Sequence, residues 1–304
     1  MRRLWTYAGL ILTVIFWGAS FVATKIVLLE LTPATIIVIR FGVGFLVLLI
    51  TVGLRQEIKP VHRQKLPFLA LLGFLGITFH QWLQVTGLKS TPATITAWIV
   101  ATIPVFVALL GWAILGERLT KQQVAGITLA AGGAVIVVSG GDLLALTTGR
   151  VGTMGDIMIA ISAINWAVFT VLSKRALGMP SPDVSKDTVA NGSPVTVMLY
   201  VMGFGLAFSI PWALVDGGWR ALATISDQGW WALLFLGVAC SGLAYLFWFK
   251  ALDVMPATQA GVFLYLEPLV TAVLAGPMLG ESTTTITALG GAAILLGVWW
   301  VNRG

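Results

Sequence analysis

Four polar or ionisable side chains interrupt long apolar runs of this 304-residue chain: Arg40, His80, Asn165 and Glu267. If those runs cross a bilayer, each of these groups is costly there and needs a partner or a task. Arg40 offers a planar fork for a carboxylate, and Glu267 offers a counter-charge for an ammonium. Together they describe a cavity for a charged or zwitterionic solute. Two other readings stand beside that one. Arg40 can snorkel to the membrane surface while Glu267 bonds backbone freed by Pro268, or the two can meet directly as an ion-pair gate. At a helical rise of about 1.5 Å per residue, Glu267 lies about 16 Å from one end of its run, and His80 and Arg40 about 21 Å from the same side. One layer can therefore hold all three.

Other residues gather around this layer. His80, Gln84, Gly87 and Thr91 fall on one helical face, and Ser241, Tyr245 and Trp248 form a similar stripe in a later run. An imidazole and a carboxamide one turn apart are bulky for a close helix seam, so the stripe reads as lining. Trp17, Trp98, Trp166, Tyr245 and Tyr265 lie deep in their runs and suit either packing or an aromatic wall that attracts an ammonium. The candidate cavity residues are Trp17, Arg40, His80, Gln84, Trp98, Asn165, Trp166, Tyr245, Trp248, Tyr265 and Glu267. No metal or cofactor is expected, because the other histidine, His62, sits in a loop. An intramembrane enzyme is disfavoured: there are no paired aspartates, no His-Glu-x-x-His and no Ser–His arrangement.

Composition explains why these runs are membrane helices. The chain is 58% hydrophobic and 10% charged, with mean hydropathy +0.95, whereas soluble domains carry about 25% charge. The net charge of +6 comes with no nucleic-acid-binding pattern and fits a cytoplasmic excess of Lys and Arg. The single cysteine, Cys240, allows no intrachain disulfide. Ten apolar runs are long enough to span: roughly 5–27, 34–54, 66–88, 93–115, 120–140, 152–177, 195–215, 229–251, 256–279 and 282–301. Trp5, Trp219, Trp230, Trp231, Trp299 and Trp300 lie near their ends, as an interfacial belt does.

The runs form a repeat. Pro92-Ala93-Thr94, Pro104 and Leu115-Gly116-Glu117 recur 164 residues later as Pro256-Ala257-Thr258, Pro268 and Leu279-Gly280-Glu281. Ile15, Trp17 and Lys25 match Ile164, Trp166 and Lys174 at an offset of 149. The first run therefore has a partner and is no cleaved leader, although Arg2-Arg3 and Gly18-Ala19-Ser20 resemble one. Asn191-Gly192-Ser193, followed by Pro194 in the polar segment 178–194, reads as a chance glycosylation pattern. Placing the N-terminus inside puts thirteen Lys and Arg in inner segments and four (Lys25, Lys89, Arg150 and Arg220) in outer ones. Both termini are then cytoplasmic. Five helices per copy is an odd number, so the second copy enters from the opposite side. Inverted repeats are a mark of secondary transporters. Pro104 and Pro268 are expected to kink symmetric helices near mid-membrane, and Glu117 and Glu281 to end them.

Phe16-Trp17-Gly18 with Phe21 and Lys25, Arg40-Phe41, and the doubled Pro…Leu-Gly-Glu runs resemble the EamA-type drug/metabolite transporter superfamily. Within it the chain looks most similar to amino acid exporters of the YddG type. The resemblance implies an all-α membrane protein of ten helices in two inverted five-helix repeats, 1–141 and 152–304. It implies an alternating-access carrier of a bacterial inner membrane that exports amino acids or related metabolites, with helices 3, 4, 8 and 9 around its cavity. The competing transport reading is efflux of hydrophobic or cationic drugs. The expected partners are a small-molecule substrate and the lipid bilayer. Nothing in the sequence sets the oligomeric state, and a monomer is compatible with it.

Overall fold

The computed structural model describes residues 2–55, 61, 63–138, 154–177, 194–281 and 285–301. His62, the segment 178–193 and its Asn191-Gly192-Ser193 lie outside them. The described residues are helical and contain no strand. In chain order the long helices are α1 (Arg2–Leu28), α2 (Pro33–Arg55), α3 (Arg63–Leu88), α4 (Ala93–Leu115) and α5 (Lys121–Val138). Then come α6 (Met154–Ala176), α7 (Pro194–Asp216), α8 (Asp227–Val254), α9 (Ala257–Leu279) and α10 (Thr285–Val301). Among the described residues, α1–α4 and α6–α9 are each long and apolar enough to cross a membrane. Trp5, Trp219, Trp230, Trp231, Trp299 and Trp300 are exposed near helix ends.

The halves interleave rather than sit apart. Helix α1 packs on α8 and α9 of the other half, and α6 packs on α3 and α4. The pairs α2 with α8 and α7 with α3 repeat the rule, while α2–α7, α4–α9 and α5–α10 join matching helices. Gly18 permits one close approach: a Cβ there would stand 2.7 Å from the Glu267 carbonyl oxygen, so only glycine lets α1 lie this near α9.

Four helices are broken, in matched pairs. α4 is interrupted between Val100 and Ile103, and α9 narrows to a 3-10 turn over Phe263–Leu266. Pro104 and Pro268 open the helical segments that follow, where their missing N–H groups are not needed. The expected kinks are thus restarts of a helix. α3 widens to a π-helix over Phe74–Phe79 and α8 over Leu236–Leu243, a rare form that is frequent at functional sites.

The repeated Pro-Ala-Thr and Leu-Gly-Glu motifs meet across the halves. Gly116 and Gly280 end α4 and α9 with left-handed φ of 64° and 73°. The glutamate after each then caps the other helix. Glu117 accepts from the Ala257 and Thr258 amides at 2.8 and 3.1 Å and from the Thr258 hydroxyl at 2.5 Å. Glu281 accepts from the Ala93 and Thr94 amides at 3.1 and 3.0 Å. Each carboxylate satisfies N–H groups that a helix start leaves open, at the positive end of the dipole. α4 and α9 therefore run antiparallel, tied at both ends.

Candidate functional site

The broken and widened helices surround one small cavity of about 30 Å³, room for no more than a few waters. Trp17, Ser20 and Phe21 enter it from α1, Arg40 from α2, and His80, Gln81 and Gln84 from α3. Val100 and Ile103 flank the break in α4; Trp166, Tyr245 and Glu267 complete the wall from α6, α8 and α9.

Arg40 does not snorkel. It is 2% exposed, and its Nε donates to Ser241 Oγ at 3.0 Å and its Nη1 to Gln81 Oε1 at 3.1 Å. The guanidinium carbon lies 5.2 Å from the Phe41 ring centroid. These neutral partners orient the fork without cancelling its charge. Glu267 is 3% exposed and starts the second segment of α9. Its carboxyl has no hydrogen-bond partner among the described residues. The two opposite charges face one cavity without forming an ion pair, so the direct-gate reading falls.

The remaining wall is largely aromatic. Trp17 meets Trp166 and Tyr245 edge-on at 5.2 and 5.5 Å, geometries that suit the ring quadrupoles, and Trp248 at a tilt at 5.3 Å. The Trp17 indole N–H donates to the Cys240 carbonyl at 3.0 Å, fixing the ring. His80 packs at a tilt against Trp166, ring centroids 4.7 Å apart. Its Nδ1 lies 3.1 Å from the Ser162 carbonyl, which can only accept, so Nδ1 carries a proton and Nε2 is left toward other groups. Tyr245 turns its hydroxyl toward Gln81 without good hydrogen-bond geometry.

Of the residues singled out from the sequence, Trp17, Arg40, His80, Gln84, Trp166, Tyr245 and Glu267 line the cavity. Four do not. Trp98 and Tyr265 turn away into a separate apolar cluster with Ile127 and Ala130 of α5 and Ile294 of α10. Trp248 is fully buried behind the aromatic wall. Asn165 donates to the Leu75 carbonyl at 2.7 Å, where the π-helical turn disturbs the backbone ladder. Gln81, Ser20, Phe21, Val100 and Ile103 line the cavity unforeseen. Gln81 had one usable signal, since the 164-residue offset pairs it with Tyr245.

The chain matches the EamA-like transporter family over residues 4–139 and 153–303. An uncharacterized transporter of Archaeoglobus fulgidus is 31% identical over 97% of this chain and 96% of its own. A probable terminal-alkyne amino-acid exporter of Streptantibioticus cattleyicolor is 30% identical over 97% and 92%, and the uncharacterized transporter YyaM of Bacillus subtilis 28% over 98% and 93%. These relatives are named as transporters and not as enzymes. One solved structure shares the fold, with a TM-score of 0.74 at 20% identity, covering 99% of this chain and 98% of that one.

Proposed function

The chain belongs to the EamA-like transporter family, and from that premise we propose that it is a secondary-active carrier exporting amino acids or related small metabolites. It works by alternating access through the cavity between α1, α2, α3, α4, α6, α8 and α9. One observation carries the substrate class. Arg40 and Glu267, opposite in charge and unpaired with each other, face a single cavity with aromatic walls. A free amino acid carries a matching carboxylate and ammonium, and its side chain would meet Trp17, Trp166 and Tyr245. The amino-acid exporter among its relatives supports the same class.

In this reading ten helices cross the bacterial inner membrane as two inverted halves, 1–141 and 152–304, with both termini in the cytoplasm. The excess of Lys and Arg in the inner segments supports that orientation. A cavity of about 30 Å³ is too small for an amino acid, so substrate entry requires the halves to part. The restarts at Pro104 and Pro268 and the π-helical turns of α3 and α8 are where helices can bend without losing a regular ladder. Drug efflux is the second transport reading. The aromatic wall and Glu267 would suit a hydrophobic cation, but Arg40 in the same cavity opposes one.

Counterflow in proteoliposomes with a panel of amino acids tests the proposal, run with and without a pH gradient. Movement of at least one amino acid, and not of hydrophobic cations, is expected; failure of the whole panel rejects it. Arg40→Ala should weaken transport of carboxylate substrates by roughly 10- to 150-fold, the worth of a charge-assisted hydrogen bond of about 1.5–3 kcal/mol. Equal loss for substrates lacking a carboxylate would remove Arg40 from recognition.

A further inference from the structure

The two halves do not share the cavity equally. Repeat partners fall at an offset of 149 for α1 with α6 and of 164 for α3 with α8 and α4 with α9. Trp17 with Trp166, Gln81 with Tyr245, and Ile103 with Glu267 are such partners, and both members of each pair line the cavity. They mark its symmetric centre. Ser20, Phe21, Gln84 and Val100 also line it, but their partners Phe169, Thr170, Trp248 and Leu264 do not. The space therefore lies to one side of centre, toward the end of the bundle where α1 finishes. That end is the outer one in the proposed orientation.

On the other side the equivalent volume is packed, yet it is not apolar. Thr170 Oγ1, Ser173 Oγ and Trp248 Nε1 are buried there without a hydrogen-bond partner among the described residues. Buried polar atoms left open are rare and each calls for an explanation. Thr86, Tyr245 and Tyr265 carry others elsewhere; for Thr170, Ser173 and Trp248 a second state that admits water would supply one. Thr170 and Trp248 are the repeat partners of Phe21 and Gln84, which line the open side. The packed volume is thus the mirror of the open one, with unused hydrogen-bonding capacity already in place.

The caps at the two ends differ in the same sense. At the inner end Glu117 accepts three hydrogen bonds, one of them from the Thr258 hydroxyl. At the outer end Glu281 accepts two, and the hydroxyl of Thr94, partner of Thr258, is buried with no hydrogen-bond partner. Lys174, close to Glu117, donates to the Leu252 carbonyl at 2.8 Å and to the Met255 carbonyl, pinning α6 to the end of α8. Its partner Lys25 stands near Glu281 and is only half-buried, with no corresponding bonds. At the α4–α9 caps the inner end is the more tightly held; elsewhere the outer end is tied by Thr91 to Asp156 and by Glu30 to Ser226.

We propose that Thr170, Ser173 and Trp248 form the wall of an inward vestibule, shut in this structure, and that Glu117 is the latch that shuts it. Release of Glu117 from the start of α9 lets water reach those three side chains; Glu281 plays the same part for α4 at the outer end. The proposal uses the orientation argued above but not the identity of the substrate. It can therefore fail while the amino-acid reading holds, or hold while that reading fails.

Single-cysteine reporters test it without any substrate. Thr170→Cys and Phe21→Cys are each placed in a Cys240→Ala background and labelled with a membrane-impermeant maleimide in vesicles of known sidedness. In the parent both reactions wait on parting of the halves, and Phe21→Cys should react from outside faster than Thr170→Cys reacts from inside. Adding Glu117→Gln, or Thr258→Val, which leaves both backbone caps in place, should raise the inner rate roughly fivefold, the effect of losing one hydrogen bond from one of two states. The outer rate should fall as the population shifts. Thr94→Val should leave the inner rate unchanged, because Thr94 makes no such bond. If Glu117→Gln does not fold, Thr258→Val carries the test alone. An unchanged inner rate in folded Thr258→Val protein, or an equal rise with Thr94→Val, overturns the latch. Reaction of Thr170→Cys from the outer side overturns the vestibule.

Discussion

The two halves share a frame and differ in chemistry. α4 and α9 match in their opening Pro-Ala-Thr, their central restart and their closing Leu-Gly-Glu, and each glutamate caps the other helix. The charges do not match. The first half supplies Arg40, which has no charged counterpart in α7, and the second supplies Glu267, which stands where the first has Ile103. Symmetry serves movement, since two like halves can favour two opposite openings with similar energy. A substrate with two different ends needs the reverse. It can be held in one orientation only if the halves present different groups.

The strongest way to break that comparison is to move a charge across the pseudo-axis. Glu267→Ile should lower transport of ammonium-bearing substrates by roughly 10- to 150-fold, and proteoliposome counterflow reads the loss. The double variant Glu267→Ile with Ile103→Glu returns a carboxyl to the same cavity from the opposite half. Because Arg40 remains held by Ser241 and Gln81, the spacing between the two charges changes, and the double variant should stay impaired. Recovery of transport would mean that the cavity reads net charge and not arrangement.

Sequence reasoning was strongest where the physics is one-dimensional. Apolar length located the helices, and the repeat paired Trp17 with Trp166, both of which line the cavity. Depth along a helix was also legible, placing Arg40, His80 and Glu267 near one level. Azimuth was not. Trp98 and Tyr265 have suitable depth, but α4 and α9 are buried on two faces, and theirs turn to α5 and α10. The break after Val100 and the 3-10 turn at Phe263–Leu266 reset the helical phase, so a 3.6-residue count cannot be carried through them. Asn165 lies beside Trp166 and points about 100° away from it, to the Leu75 carbonyl. Glu117 and Glu281 were legible as helix ends only, because their partners are set by the antiparallel contact of distant segments.

A smaller test sharpens the comparison at a packing level. Gly18 aligns with Ala167 at the 149-residue offset, so the second half already carries a methyl where the first does not. Ala167 is fully buried, whereas a Cβ at Gly18 would meet the Glu267 carbonyl oxygen at 2.7 Å and the Val270 side chain at 2.8 Å. Backbone cannot yield cheaply, so Gly18→Ala should destabilise by about 1–3 kcal/mol. Ala167→Gly removes a methyl from a helix interior and should cost about 0.5–1 kcal/mol. Thermal unfolding in one detergent compares the two. If Gly18→Ala is the milder change, the close approach of α1 to α9 is not what requires glycine.

The smallest effect concerns the contact between Glu30 and Ser226 at the outer end. Glu30, between α1 and α2, accepts from the Ser226 amide and hydroxyl, both at 2.6 Å, and Ser226 in turn caps α8 through Gly229 at 3.1 Å. The offsets that pair the halves put Met179 and His62 at the corresponding positions, side chains without a carboxylate or a hydroxyl. The Ser226 hydroxyl, and next its amide, hold the Glu30 carboxyl below its ordinary range, because both bonds favour the charged form. A depressed carboxyl stabilises the folded state above its unfolded value of about 4.3, and that contribution disappears as pH falls through the lower folded value. Glu30 is only partly buried at the protein surface, so the effect is small. Between neutral pH and pH below about 4, the parent should lose slightly more thermal stability than Glu30→Gln, which has no proton to take up. A parallel loss in both would show that the contact orients the start of α8 without adding to its stability.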